Sequence, residues 1–198
     1  MKPLLIGSLS AVIVVGFSGL CMAGAFEGVI HIEETDDESV TQQKWFIKGD
    51  KLRFESVAQD EEKTFMVFDA KKKIMYNVQP ERKSYLVMPL ESLGEGMGKA
   101  TEQITVTRTG KPDKVAGYTC EIYRSKDTSD GSTGEICVAK GLGTAAMFGL
   151  TGSEAGRDSV FPRWMRDIFK DGGFPLRGSD RDADGKVESR WVATKVEK

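Results

Sequence analysis

Three aspartates at alternate positions, Asp180, Asp182 and Asp184, followed by Gly185, reproduce the opening of a calcium-binding loop. Such a loop places carboxylates at its first, third and fifth positions, glycine at the sixth and a bidentate glutamate at the twelfth. Counted from Asp180, the twelfth residue is Trp191, which has no oxygen to offer, and Glu188 falls at the ninth. The flanks, FPLRGS before and KVESRWVATKV after, carry the alternating and β-branched residues of strands, with Asp184-Gly185 as a two-residue hairpin signal between them. The stretch is expected to be a hairpin turn, and no metal is assigned to it.

His31 is the sole histidine, in the strand-like GVIHIEE. One imidazole cannot build a multi-histidine metal centre, and no Gly-x-Ser-x-Gly elbow marks a serine hydrolase. The acidic run Glu33, Glu34, Asp36, Asp37 and Glu38 has the charge to gather a divalent ion, yet such runs in hairpin loops are ordinarily solvated. No glycine cluster sits between a strand and a helix as a phosphate loop would. The chain is therefore expected to be no enzyme and to need no cofactor.

The N-terminal MKPLLIGSLSAVIVVGFSGLCMAGAFEG has one lysine, an apolar run and small residues around Ala23 and Ala25, the pattern of a secretory signal peptide cleaved after residue 25. Cys21 is a poor lipoprotein acceptor because Leu20, not a small residue, precedes it. The apolar run is short and broken by glycine for a stable membrane span. Its removal takes away only Lys2 among the charges, moving the formal net charge from −2 to −3, a near-balance that argues against nucleic acid as a partner. A periplasmic or secreted protein is expected. Two cysteines then remain, Cys120 and Cys137, an even pair in an oxidising compartment. A hairpin centred on SKDTSDGSTG puts them opposite each other on adjacent strands, so a disulfide between them is expected, as a staple and not a redox pair.

These residues sit on short segments bounded by turn signals. Eleven strands are expected, over 26–34, 40–48, 51–56, 64–69, 73–79, 83–88, 103–109, 117–124, 135–140, 174–179 and 186–196. Strands in direct succession with short turns imply an antiparallel meander. The interruption is a helical insertion at about 142–172, where VFPRWMRDIF puts Phe161, Trp164, Met165, Ile168 and Phe169 on one face. TFMVFD and KSYLVM are apolar on both faces, so each side there needs a cover, a partner or a ligand. Trp45, Trp164, Trp191 and the methionines read as core or, alternatively, as the lining of an apolar cavity.

The ordered series AFEGVI, WFIKGDKLRFE, MVFDAKKKIMYNVQPERKSYLVMP, AGYTCEIY, ICVAKGLG and GGFPLRGSDRDADGKVESRWVATKVE resembles the secreted bacterial family designated domain of unknown function 4412, over residues 26–198 as one domain. That family is similar in architecture to the periplasmic lipoprotein carriers of the LolA and LolB type. The resemblance implies a mainly β fold, an antiparallel curved sheet or unclosed half-barrel of about eleven strands, with one or two helices covering its concave face. It also implies a groove for a lipid-like ligand or acyl chain. The expected lid and groove residues are Met147, Phe148, Phe161, Trp164, Met165 and Phe169. The alternative expectation is an interaction module for an envelope protein, with a filled core and no small ligand.

Overall fold

The computed structural model describes residues 26–57, 64–90, 92, 103–143, 164, 168–169 and 172–198. Among them are eleven strands: β1 Gly28–Asp36, β2 Val40–Lys48, β3 Lys51–Val57, β4 Phe65–Asp69, β5 Ile74–Gln79, β6 Ser84–Pro89, β7 Ile104–Val115, β8 Tyr118–Asp127, β9 Thr133–Ala139, β10 Phe174–Arg181 and β11 Val187–Glu197. Alternation explains how they pack. In β1, Ile30 and Ile32 are buried while Val29, His31 and Glu33 between them are half-covered. Its neighbour β2 repeats the pattern with Ile47 buried opposite Gly28 and Trp45 opposite Ile30.

All eleven strands form one antiparallel sheet in the order β6-β5-β4-β3-β2-β1-β11-β10-β9-β8-β7. The chain meanders outward from β1 to one edge, crosses to the other edge, and meanders back until β11 lies beside β1. Fourteen residues make that crossing. Ten inter-strand gaps of about 4.8 Å would require about 48 Å of nearly straight chain if the sheet were flat. It is not flat: Cα atoms of β7 come within 8 Å of β11, four strands away. Arg177 on β10 likewise reaches over two intervening strands to Asp113 on β7, with Nη1 donating to Oδ2 at 2.6 Å. The sheet curls without closing, because β6 and β7 remain its unpaired edges.

The curl encloses one apolar core, in which Phe174, Ile30, Ile47, Leu176 and Cys137 are the largest fully buried side chains. Removing each of the larger aliphatic or aromatic ones from water contributes roughly 1.5–3 kcal/mol, so the seam around β1, β2 and β10 carries much of the fold's stability. At the β6 side the core thins out. There the outward face is covered by its own side chains: Arg53 lies 4.1 Å over the Phe65 ring and 5.3 Å over that of Phe46, and Tyr76 meets Tyr85 at 6.0 Å. On β6 itself Tyr85, Leu86 and Val87 are exposed.

Cys120 and Cys137 are bonded, but not as directly opposed residues. Cys120 lies opposite Ala139 and Cys137 opposite Ile122, so the bond runs diagonally across β8 and β9. The difference comes from the turn: Asp127 N–H donates to Ser132 C=O, which places the hairpin centre one residue later than the composition of the loop implied. A two-residue offset leaves every side chain on its original face, which is why the pairing still forms.

The Asp180 stretch is a hairpin joining β10 to β11, closed by three residues instead of two. Asp182 N–H donates to Lys186 C=O and Gly185 N–H to Asp182 C=O, with Gly185 at φ +84°, the left-handed conformation this loop type needs. The Asp182 carboxylate accepts from Lys186 N–H at 2.8 Å, and that of Asp180 accepts from Ser189 Oγ at 3.1 Å. Among the described residues no group of three or more potential metal ligands comes together.

β7 continues well past the expected 103–109. Gly110 and Pro112 read as a strand end, but a register shift between Arg108 and Pro112 absorbs them, and proline is tolerated at such an irregularity on an edge strand. The helical insertion leaves and returns at one place, since Gly141 and Gly143 N–H both donate to Gly172 C=O at 3.0 Å. Within it Trp164, Ile168 and Phe169 are helical. Among the described residues no helix is long and apolar enough to cross a membrane. Residues 1–25, the expected signal peptide, lie outside the described residues.

Candidate binding site

Where the two meanders meet, the core is not completely filled. Trp45, Ile32, Phe174, Pro175 and Trp191 line a pocket of about 260 Å³, with Glu34 and Gln43 as its polar members. Period two places them. Glu34 has the parity of Ile30 and Ile32 on β1, and Gln43 that of Trp45 and Ile47 on β2, so both project to the core side while Glu33 and Gln42 project away. Trp191 is the register partner of Glu34 on β11.

The aromatic walls are braced. Trp45 meets Phe54 edge-on at 4.9 Å and Phe174 at 5.7 Å with the planes 82° apart, so the Trp45 and Phe174 rings stand as perpendicular walls. Trp45 Nε1–H donates to Gln43 Oε1 at 3.3 Å, and Gln43 Nε2–H donates in turn to the Glu34 carboxylate. Trp191 is seated by Gly178, its partner on β10: a Cβ there would lie 2.6 Å from two indole carbons. Only glycine lets the indole approach the backbone this closely.

A second cleft, of about 430 Å³, lies along β7 and β8 and is lined by Arg108, Glu121, Lys140, Tyr123, Val138 and Ile168, among others. Its charges answer one another. Arg108 Nη2 donates to Glu121 Oε2 at 2.6 Å, and this bond first, with the nearby Lys140 charge and Tyr123 hydroxyl contributing, holds the Glu121 carboxyl below its ordinary value. Elsewhere His31 Nε2 sits 2.6 Å from Glu197 Oε1, and Lys195 Nζ 3.1 Å from the same oxygen. The Lys195 ammonium, and then His31, depress the Glu197 carboxyl. In both arrangements a carboxylate is held by neighbouring basic side chains.

Of the expected lid residues, Met147, Phe148, Phe161 and Met165 lie outside the described residues. Trp164 is half-buried, and its buried indole N–H has no acceptor among the described residues. Phe169 is buried, close to Gly173, and Ile168 contributes to the cleft along β8. Ile168 thus stands beside β8, and Ile168 and Phe169 beside Gly173. Trp45 and Trp191 were open to either a core or a cavity role, and they pack against the core cluster while also lining this pocket. Glu34, Gln43, Phe174 and Pro175 were not anticipated in the site. The signal that would have found the first two is parity with Ile32 and Trp45, obscured by treating the acidic run as one solvated block.

A family model described as domain of unknown function, DUF4412, matches residues 26–198. The chain belongs to that family. Among curated proteins there is no match. Solved structures resemble this DUF4412 protein faintly: MucB in complex with MucA(peri) at 12% identity and a TM-score of 0.44, covering 87% of this chain and 49% of that one. The Pseudomonas aeruginosa MucA/MucB complex gives 10% and 0.46, covering 86% and 51%. The Mycobacterium tuberculosis lipoprotein LppX gives 6% and 0.39, covering 87% of each chain. The DUF4412 chain spans about half the length of the MucB chains it matches. Likeness at this level carries no inference about what the protein binds.

Proposed function

We propose that this DUF4412 protein is an exported, non-catalytic binding protein that takes a lipid-like or apolar ligand into the cavity of its unclosed sheet. The observation that carries the reading is the pocket between Trp45, Phe174 and Trp191. It is concave, predominantly apolar, braced on each side, and placed on the seam that holds the two meanders together, which is the usual setting of a preformed ligand site. Binding there is driven by burial of apolar surface, at roughly 25 cal/mol per Å² before the costs of association. The intrachain disulfide agrees with residence in an oxidising envelope compartment.

Native mass spectrometry of protein purified from a bacterial periplasm without detergent tests this directly. A stoichiometric adduct that is released by organic extraction and lost in Trp191→Ala is the expected result. An apo mass that stays unchanged after incubation with fatty acids and phospholipids overturns it.

One observation favours a second reading, docking of an envelope protein. The edge strand β6 exposes Tyr85 at 67%, Leu86 at 59% and Val87 at 46%. A bare, apolar sheet edge is a site for strand addition. Cross-linking in the envelope from residue 86, yielding one discrete adduct, distinguishes this reading from the first.

A further inference from the structure

We infer that the tryptophan pocket is selective for a positively charged ammonium group, bound by its aromatic walls and by the Glu34 carboxylate. The inference rests on the ligand-binding reading above and names the chemistry of the ligand's recognised end.

A pocket meant only for hydrocarbon is poorly served by a carboxylate in its lining, because burying that charge under an apolar guest removes its water without replacement. Glu34 is nevertheless there, half-buried, with Trp191 beside it in register and Trp45 on the adjoining strand. Among the described residues its hydrogen-bond donor is Gln43, and no lysine or arginine pairs with it. Its negative charge is therefore not matched by a basic side chain among the described residues. A bound cation would neutralise it.

The rest of the pocket suits such a cation. Indole and phenyl faces attract ammonium groups electrostatically, tryptophan most strongly, and this pocket is lined by the indoles of Trp45 and Trp191 and the ring of Phe174. The relay from Trp45 Nε1–H to Gln43 and from Gln43 to Glu34 orients the glutamine amide so that it donates to the carboxylate. This fixes the negative end of the site beside Gln43. A cavity of about 260 Å³ matches a head group together with the first carbons of an attached chain. The recognised unit is therefore a primary or quaternary ammonium, either on a small molecule or at the head of an amphiphile.

The test is titration of the full-length mature protein, stripped of bound material, with monomeric dodecyltrimethylammonium, dodecyl sulfate and dodecyl maltoside, followed by tryptophan fluorescence and calorimetry. The expected result is at least about tenfold tighter binding of the ammonium amphiphile than of either other, a preference that Glu34→Gln erases. Equal binding of all three leaves the apolar-ligand reading intact and overturns the ammonium inference. No binding of any of them overturns both. Tetramethylammonium chloride, titrated alone, separates the sources: binding comparable to that of the amphiphile identifies a free small cation, and binding only of the alkylated form identifies a head group. The wild-type preference needs no substitution, so the test survives if Glu34→Gln fails to fold.

Discussion

Breaking the bond between Cys120 and Cys137 offers the cleanest quantitative check on the fold. The bond closes a loop with a sequence separation of 17, for which the chain-entropy relation gives about 3 kcal/mol of stabilisation. For a domain of this size each kcal/mol moves the midpoint by roughly 2–4 °C, so protein refolded under a phosphine reductant should melt about 6–12 °C lower. Replacing both residues by alanine should cost more, because Cys120 is 2% exposed and Cys137 fully buried. Deleting two packed sulfur atoms adds roughly 1 kcal/mol each. Calorimetry of the oxidised, reduced and doubly substituted forms should thus give a graded series in that order. A reduction effect under about 2 °C would refute the reasoning. It would mean that β8 and β9 are already held together in the unfolded chain, so that the bond constrains nothing.

Two further outcomes follow from the packing and the charges. Gly178→Ala should destabilise the protein by roughly 1–3 kcal/mol and shift the Trp191 emission, since the new methyl group meets the indole at 2.6 Å on a strand paired on both sides; urea denaturation with an unchanged midpoint would show that the indole can move away at no cost. Glu197, whose carboxyl is depressed by Lys195 and His31, contributes stability that is present above its ordinary 4.5 and is lost as the pH falls through its lower folded value; Glu197→Gln should flatten that acid limb of the melting profile, and an unaltered limb would remove the residue from it.

The sheet was legible because its strands announce themselves by parity and punctuation. Gly49-Asp50, Pro80-Glu81 and the lysine-rich turn at 71–73 separate alternating runs short enough to be only strands. The failures have local causes. The strand expected over 103–109 runs on to Val115 because β7 is an edge strand whose register shift between Arg108 and Pro112 accommodates a proline. The diagonal disulfide depended on one backbone hydrogen bond, from Asp127 to Ser132, that loop composition does not encode. The site was half legible. Trp45 and Trp191 stood out as large aromatics with two readings, but their convergence with Phe174 depends on β1 pairing with β11, a contact between opposite ends of the domain that no local pattern reveals. Glu34 was legible in principle, because its parity is that of Ile32.

That pairing also bears on kinetics. β1 meets β11 through contacts such as Val29 with Glu197, which only the last strand can supply. Until it arrives, the first six strands have Trp45 and Ile30 on a face that lacks Phe174, Leu176 and Ala193, and the sheet cannot complete its core. Long-range closure of this kind is slow, on the scale of milliseconds to seconds, because the entropy of the intervening chain is lost before the contacts form. A chain built this way gains its stability in a late step, when β11 docks against β1 and joins the two meanders.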